Sequence, residues 1–443
     1  MSIRLYLALF LALAVPAVAF AQQDHDDEPA PQQAPQHQHE TPAAQHQHGQ
    51  DGAASLFSGQ DGSGTSWLPA ATPMYAWHGR AGQWELMAHG NFFLQYLHEY
   101  AEEHRGSSQT GSINWGMGMA RRAVGAGRLG LRAMLSAEPA TIGGCGYPDL
   151  LATGELCDGE TIHDLQHPHD FVMELAADYE RPFGDGFRLQ LYGGLAGEPA
   201  LGPVAFPHRL SALPNPIAPV GHHWLDATHI TFGVVTAGVF SPRWKMEASV
   251  FNGREPDEDR WDLDLARPDS FSARLSLAPS PSVAIQVSAG HLNDAEPAHG
   301  AVGRVDVTRV TASVAYHRQM GAASYWASTA AWGRNLEEGE ATHAGLIESN
   351  LTFSDRHTWF GRLELAGKPS HALHVEEIDA VFTVAKLQAG YTRYFAGWRG
   401  LAAGLGGVFS ASIVPPYLAP RYDGRISPGI GVFLTVRPAA HRM

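Results

Sequence analysis

Cysteine is nearly absent: two in 443 residues, Cys145 and Cys157, both in one stretch. In an exported chain that pattern calls for one disulfide stapling a single loop, and not for a catalytic thiol. Basic charge is scarce too, 30 Lys and Arg against 45 Asp and Glu, which argues against nucleic acid as a partner. Beyond the first residues no run approaches the ~20 apolar residues a membrane helix needs, so if the mature chain enters a membrane it must do so as a closed barrel. The barrel region contains no G-x-S-x-G, and Ser211 in His208-Arg209-Leu210-Ser211 has no nucleophile elbow around it, which weakens a hydrolase reading. The acidic stretch from Arg254 to Asp262 lacks the spaced ligands and the Gly of a calcium loop and reads as solvated.

The start of the chain carries an address. Arg4, the apolar run Leu5 to Val15 and Ala19-Phe20-Ala21 make residues 1–21 a secretory signal peptide. Residues 22–64 are dominated by Gln, His, Ala, Pro, Asp and Gly and have almost nothing apolar to bury, so a disordered tail is expected. Within it His37, His39, His46 and His48 form repeated H-x-H pairs that suit borderline divalent ions, while a polar linker of biased composition is the bland alternative.

From Trp84 onward the chain falls into alternating segments of ten or so residues. On the first, Trp84, Leu86, Ala88, Phe92, Leu94 and Tyr96 share an apolar face opposite Glu85, His89, Asn91 and Gln95. Links such as Val124 to Gly127, Phe183 to Gly186 and Ser241 to Arg243 are short and fall at every second junction, with longer polar links between. That order predicts residues 65–443 to be an all-β, antiparallel transmembrane β-barrel of about 16 strands (14–18), with short turns and both termini periplasmic, in the bacterial outer membrane. Alternation alone also fits a soluble all-β sandwich. The large strand number and the many aromatics near strand ends favour lipid outside and, with Arg188, Lys245, Glu247, Arg274, Arg362 and Glu364 inward, a wet interior.

Two long links hold the candidate chemistry. The first, 139–169, carries the cysteines, His163, His167 and His169, with Asp170 just beyond; the second, 198–227, carries His222, His223 and Asp226, with His229 next. Both are anchored to one hairpin, strands 170–182 and 187–197, so their bases should meet. Neutral imidazoles and carboxylates in that number can hold Cu(II) or Zn(II). The rival reading is that they bond the loops into the lumen as a plug.

Gly64 to Pro69 (G-T-S-W-x-P), Gln166 to Asp170 (Q-H-P-H-D), Gly197 to Arg209 (G-x-P-A-L-G-P-V-A-F-P-H-R), Gly221 to His223 (G-H-H) and Phe251 to Trp261 are motifs in which the chain resembles an uncharacterised family of bacterial outer-membrane barrels, over most of residues 64–440. In layout, a His-rich tail before a barrel is similar to the copper-resistance B outer-membrane proteins, although here no Met lies between Ala21 and Met74. The expectation is a barrel that binds or passes copper or zinc ions, working with a periplasmic metal-handling partner. The rivals are a general solute channel or structural barrel with plugging loops, and a lipid-modifying hydrolase.

Overall fold

The structure, a computed structural model, describes residues 55–101, 105–297, 303–375 and 377–439. The signal segment and the tail histidines His37, His39, His46 and His48 lie outside the described residues.

Period-two alternation gives the strands β1 (Trp77–Ala81), β2 (Trp84–Glu99), β3 (Ser107–Val124), β4 (Gly127–Leu135), β5 (Tyr147–Cys157), β6 (Glu160–Gln166), β7 (Val172–Phe183), β8 (Phe187–Gly197), β9 (Thr231–Ser241) and β10 (Trp244–Phe251). They continue as β11 (Ser270–Ser280), β12 (Val283–Pro297), β13 (Arg304–Gly321), β14 (Ser324–Glu337), β15 (Glu340–Phe353), β16 (His357–Pro369), β17 (Val381–Tyr394), β18 (Leu401–Ile413) and β19 (Ile426–Pro438). Every strand expected from the alternation is present. Sixteen of them close into one antiparallel ring, β9 pairing β10 and β19 pairing β2 from Gly429↔Glu99 to Val436↔Phe92. Closure satisfies every strand edge, the condition for backbone to sit in lipid. The outward side is apolar: on β19, Ile430, Val432 and Leu434 are exposed while Phe433 and Thr435 turn inward and are buried. Aromatics such as Trp359 and Trp398 also face outward.

Three features depart from the expectations. First, the short β1 adds a hairpin partner to the start of β2, Trp77↔Ala88 to Ala81↔Trp84. Second, the first long link is not irregular: β5 and β6 form a separate hairpin, stapled by Cys145–Cys157 with Cα atoms 5.6 Å apart. Third, much of the interior is occupied by the chain's own links.

The inward wall is charged as expected, with Lys245, Glu247, Arg274, Arg362 and Glu364 all buried. The chain itself occupies the space they face. Residues 198–230 fold into the lumen, where Leu225, Trp224 and Val220 pack with Leu150 and Leu151 of β5 and with Leu373 and Leu418 from other links. Irregular backbone can be buried only if its carbonyls find donors. The wall supplies them: Asn91 to Leu213 O (3.0 Å), Asn350 to Leu210 O (2.8 Å), Arg362 to Ile217 O (2.9 Å) and Lys368 to Val220 O (2.9 Å). Inward charge therefore marks where a plug is held.

The stretch 55–64, grouped with the tail on composition, also lies in the lumen. Arg121 and Arg128 donate to Leu56 O at 3.0 and 2.7 Å, Arg121 pairs with Asp61 at 2.5 Å, and Arg132 donates to Gly64 O. Its few apolar groups suffice because the wall binds its backbone.

Candidate metal centre

The two long links meet inside the barrel, and five histidines gather there: His167 and His169 from the first, His222, His223 and His229 from the second. Ring centres are 5.2 Å apart for His222 and His229, 5.3 Å for His169 and His229, 5.4 Å for His222 and His223, and 6.1 Å for His167 and His222. Imidazoles on one tetrahedral ion, with metal–nitrogen bonds of about 2.0 Å, would have ring centres about 5 Å apart. His222, His223 and Trp224 stand on a single helical turn, α1 (His222–Leu225), which turns two adjacent imidazoles to different neighbours.

Each ring is oriented through Nδ1. His222 Nδ1 donates to Asp226 Oδ1 at 2.9 Å, His229 Nδ1 to the Asp226 carbonyl at 2.8 Å, and His167 Nδ1 to the Pro168 carbonyl at 3.2 Å. A carbonyl can only accept, so in neutral His229 the proton sits on Nδ1 and Nε2 carries a bare lone pair. That Nε2 is buried and has no hydrogen-bond partner among the described residues. His167 Nε2 lies 3.1 Å from a Glu155 oxygen, two acceptors facing each other unless a proton or another cation lies between them. Fixing Nδ1 with a carboxylate or carbonyl is how proteins hold an imidazole whose Nε2 binds metal.

The five do not share one charge state. Burial drives His222 down to about 4 in spite of Asp226. Burial, reinforced by Arg260 for His167 and by His222 for His229, holds those two well below the usual histidine range. For His223 burial also opposes the charge, but Glu255 at 2.9 Å and Glu296 at 3.6 Å outweigh it and push it up to about 10. His169 is raised as well, because Glu138 at 2.9 Å overcomes its burial. The neutral rings are thus His167, His222 and His229, while His169 and His223 are ion-paired; the donor atoms that lie within 4.8 Å of one another in this region are those of His223, Glu255 and Glu296. Glycine at 154 is required by this packing: a Cβ there would sit 2.5 Å from the His223 ring, and its φ of +115° disfavours a side chain in any case.

The remaining expected residues separate. His163 stands apart from the cluster, bonded to Asp164 at 2.8 Å with its ring centre 4.4 Å from that of His374. Asp170 faces Arg260 at 3.6 Å, and burial pushes its carboxyl up to about 7. Asp226 is a hub, bonded to His222, His229, the Phe206 N–H and Arg209. Glu138, Glu155, Glu255, Glu296 and Arg260 went unrecognised as members. Glu255 and Arg260 come from the acidic stretch expected to be solvated; most of it is exposed, but Arg260 is buried and Glu255 is partly so. Ser211 is a peg of the plug, bonded to Thr329 at 2.7 Å and Glu348 at 2.8 Å.

Closed strand pairing, an outward apolar belt and a lumen filled by the chain's own links define a plugged transmembrane β-barrel. No family model matches the chain, and no curated protein sequence matches it. Among solved structures it is similar to Salmonella typhi OmpF in complex with daunomycin (10% identity, 82% of this chain and 100% of that one, TM-score 0.48). It is also similar to an anion-selective porin from Comamonas acidovorans (8% identity, 80% and 99% covered, TM-score 0.47). A third is the outer-membrane channel DcaP of Acinetobacter baumannii (8% identity, 82% and 100% covered, TM-score 0.44). The fold class itself rests on the closed pairing of the strands.

Proposed function

We propose that the chain is a bacterial outer-membrane barrel that captures a divalent transition-metal ion, Cu(II) or Zn(II), at His167, His222 and His229, with the plug closing the lumen to free diffusion. The observation that carries this reading is the buried Nε2 of His229, which has no hydrogen-bond partner among the described residues, on a ring whose centre lies 5.2 Å from that of His222 and 5.3 Å from that of His169. An unpaired buried acceptor costs about 1–3 kcal/mol, and an ion would remove that cost. The tail, with His37, His39, His46 and His48, would collect ions on the periplasmic side and exchange them with a periplasmic partner.

A second reading is a solute channel or structural barrel whose plug is only mechanical. The number of wall donors bound to plug carbonyls favours it, since those bonds hold the plug without any ion.

Calorimetric titration with Zn(II) and Cu(II) separates the two. Three proteins are compared: the intact chain, a chain lacking residues 22–54, and the shortened chain with His167→Ala, His222→Ala and His229→Ala. The metal reading expects about one equivalent to survive loss of the tail and to vanish in the triple variant. If the shortened chain binds neither ion, or the triple variant binds as before, the mechanical plug is the better account.

A further inference from the structure

One patch of the lumen wall breaks the charged pattern. Where β2, β3 and β4 lie side by side, the register places His89 beside Met117 and Met117 beside Met134, and on the next rung Met87 beside Met119. Met173 of β7 joins the same buried cluster. Of ten methionines in the chain, these five and Met74, which lines the adjoining cavity of about 110 Å³, converge on one spot. Packing by itself gives no reason for thioethers here, since Leu fills such space with a better-defined shape.

Two imidazoles are aimed at the sulfurs. His89 Nε2 lies 3.2 Å from Met117 Sδ, and His208 Nε2, carried in by the plug, lies 3.4 Å from Met134 Sδ. The two rings are 5.5 Å apart, with Trp115 against both at 5.3 and 4.7 Å. Nitrogen and sulfur bound to one ion at about 2.0 and 2.3 Å with a tetrahedral angle are about 3.5 Å apart, close to both separations. Arg132, a buried cation of the neighbouring wall, is balanced by Asp178 at 3.5 Å and Glu174 at 3.8 Å.

We infer that His89, Met117, Met134 and His208 form a second, separate site, selective for a soft monovalent ion, Cu(I), with Ag(I) as its redox-inert mimic. Thioether with imidazole is a donor set that favours Cu(I), while a hard divalent ion gains little from sulfur. The wall supplies three of the four ligands, His89 of β2, Met117 of β3 and Met134 of β4, and the plug supplies the fourth, His208, so an ion here also ties the plug to those strands. The site shares no residue with the imidazole cluster and does not depend on divalent binding there.

The test is anaerobic titration of the full-length protein with Cu(I) against a chromogenic Cu(I) chelator, followed by X-ray absorption at the copper edge. One tight equivalent with sulfur scattering at about 2.3 Å is expected. Residues 22–73 contain no Met, so the tail cannot supply a thioether signal. Met117→Leu with Met134→Leu conserves volume and should weaken Cu(I) binding at least tenfold and remove the sulfur scattering, leaving Zn(II) binding unchanged. His208→Gln, in the plug and outside the barrel wall, should weaken Cu(I) similarly and covers the case in which the double variant fails to fold. Nitrogen-only coordination in the intact protein, or unchanged Cu(I) affinity in either variant, overturns the proposal.

Discussion

Arg209 fastens plug to wall through a buried ion pair with Glu348 and braces the plug itself through Asp226 and Val204, and its removal should open the barrel. Its guanidinium donates from Nε to Glu348 Oε1 at 2.7 Å and from NH1 to Asp226 Oδ2 at 2.5 Å and to Val204 O at 2.9 Å. Only 2% of it is exposed. In Arg209→Met the shape is roughly kept, but two buried carboxylates lose a shared cation. Breaking a buried pair from one side costs about 3–5 kcal/mol. Partners remain here, Arg362 and Ser211 for Glu348 and His222 for Asp226, which puts the effect at the lower end, about 3 kcal/mol. That is roughly a hundredfold shift from docked to undocked plug. The assay is conductance in planar bilayers: low and steady for the wild type, with frequent openings for Arg209→Met. Arg254→Met is the control, because Arg254 is half exposed and meets Asp294 only at 3.7 Å. An exposed pair of that kind contributes about 0–1 kcal/mol. If Arg209→Met stays as closed as the wild type, or Arg254→Met opens equally, wall charge does not hold the plug.

Two further outcomes follow from the site. Histidine-labelled protein in micelles should show His223 protonated up to about pH 10 and His222 neutral down to about pH 4, and two unshifted titrations near 6.5 would contradict the charge assignment. With its raised value, His223 contributes stability that is complete below pH 6.5 and lost as pH rises through 10, so the difference in plug protection between wild type and His223→Gln should shrink across that window. Replacing both cysteines, which stand 12 positions apart in the sequence, by Ser should weaken the β5–β6 hairpin by about 3 kcal/mol. Limited proteolysis should then cut within 145–166 while the barrel keeps its heat-modifiable migration, and equal protease resistance would show that lumen packing alone orders the hairpin.

The barrel was legible because its information is local. Alternation such as Leu94, Tyr96 outward and Gln95, Leu97 inward needs no partner to be read, and a short link after every second strand sets the hand of the meander. The meeting of His167 with His222 was legible too, since both loops hang from one hairpin. That the loops plug the lumen was open to reading as one of two alternatives; what was not legible is which wall residues hold the plug. Lys368 and Arg362 look alike in a sequence whether they face water or a carbonyl, and only the infolded chain shows that they hold Val220 O and Ile217 O. Glu255 was hidden for the opposite reason: its neighbours Asp257 to Asp259 are solvated, and one residue of an acidic run turns inward to His223.

The methionine patch marks a third kind of illegibility, and it bears on what the wall does. Along β3, Trp115, Met117 and Met119 read as ordinary inward positions of one strand, and along β2, Met87 and His89 read the same way. Only the register, His89↔Met117↔Met134, stacks them into a single surface, and only the plug brings His208 to it. Period-two patterning tells which side of a strand a residue faces but not which residue stands beside it, because that depends on strand stagger around the ring. A site built across three strands and a plug is therefore invisible until closure is known. The same construction makes each donor set sensitive to plug position: withdraw residues 198–230, and His208 leaves the thioethers while His222 and His229 leave His167. On the proposed reading, ion binding and plug docking are coupled through the same residues, and each ion would favour the closed barrel by as much as the docked plug favours the ion.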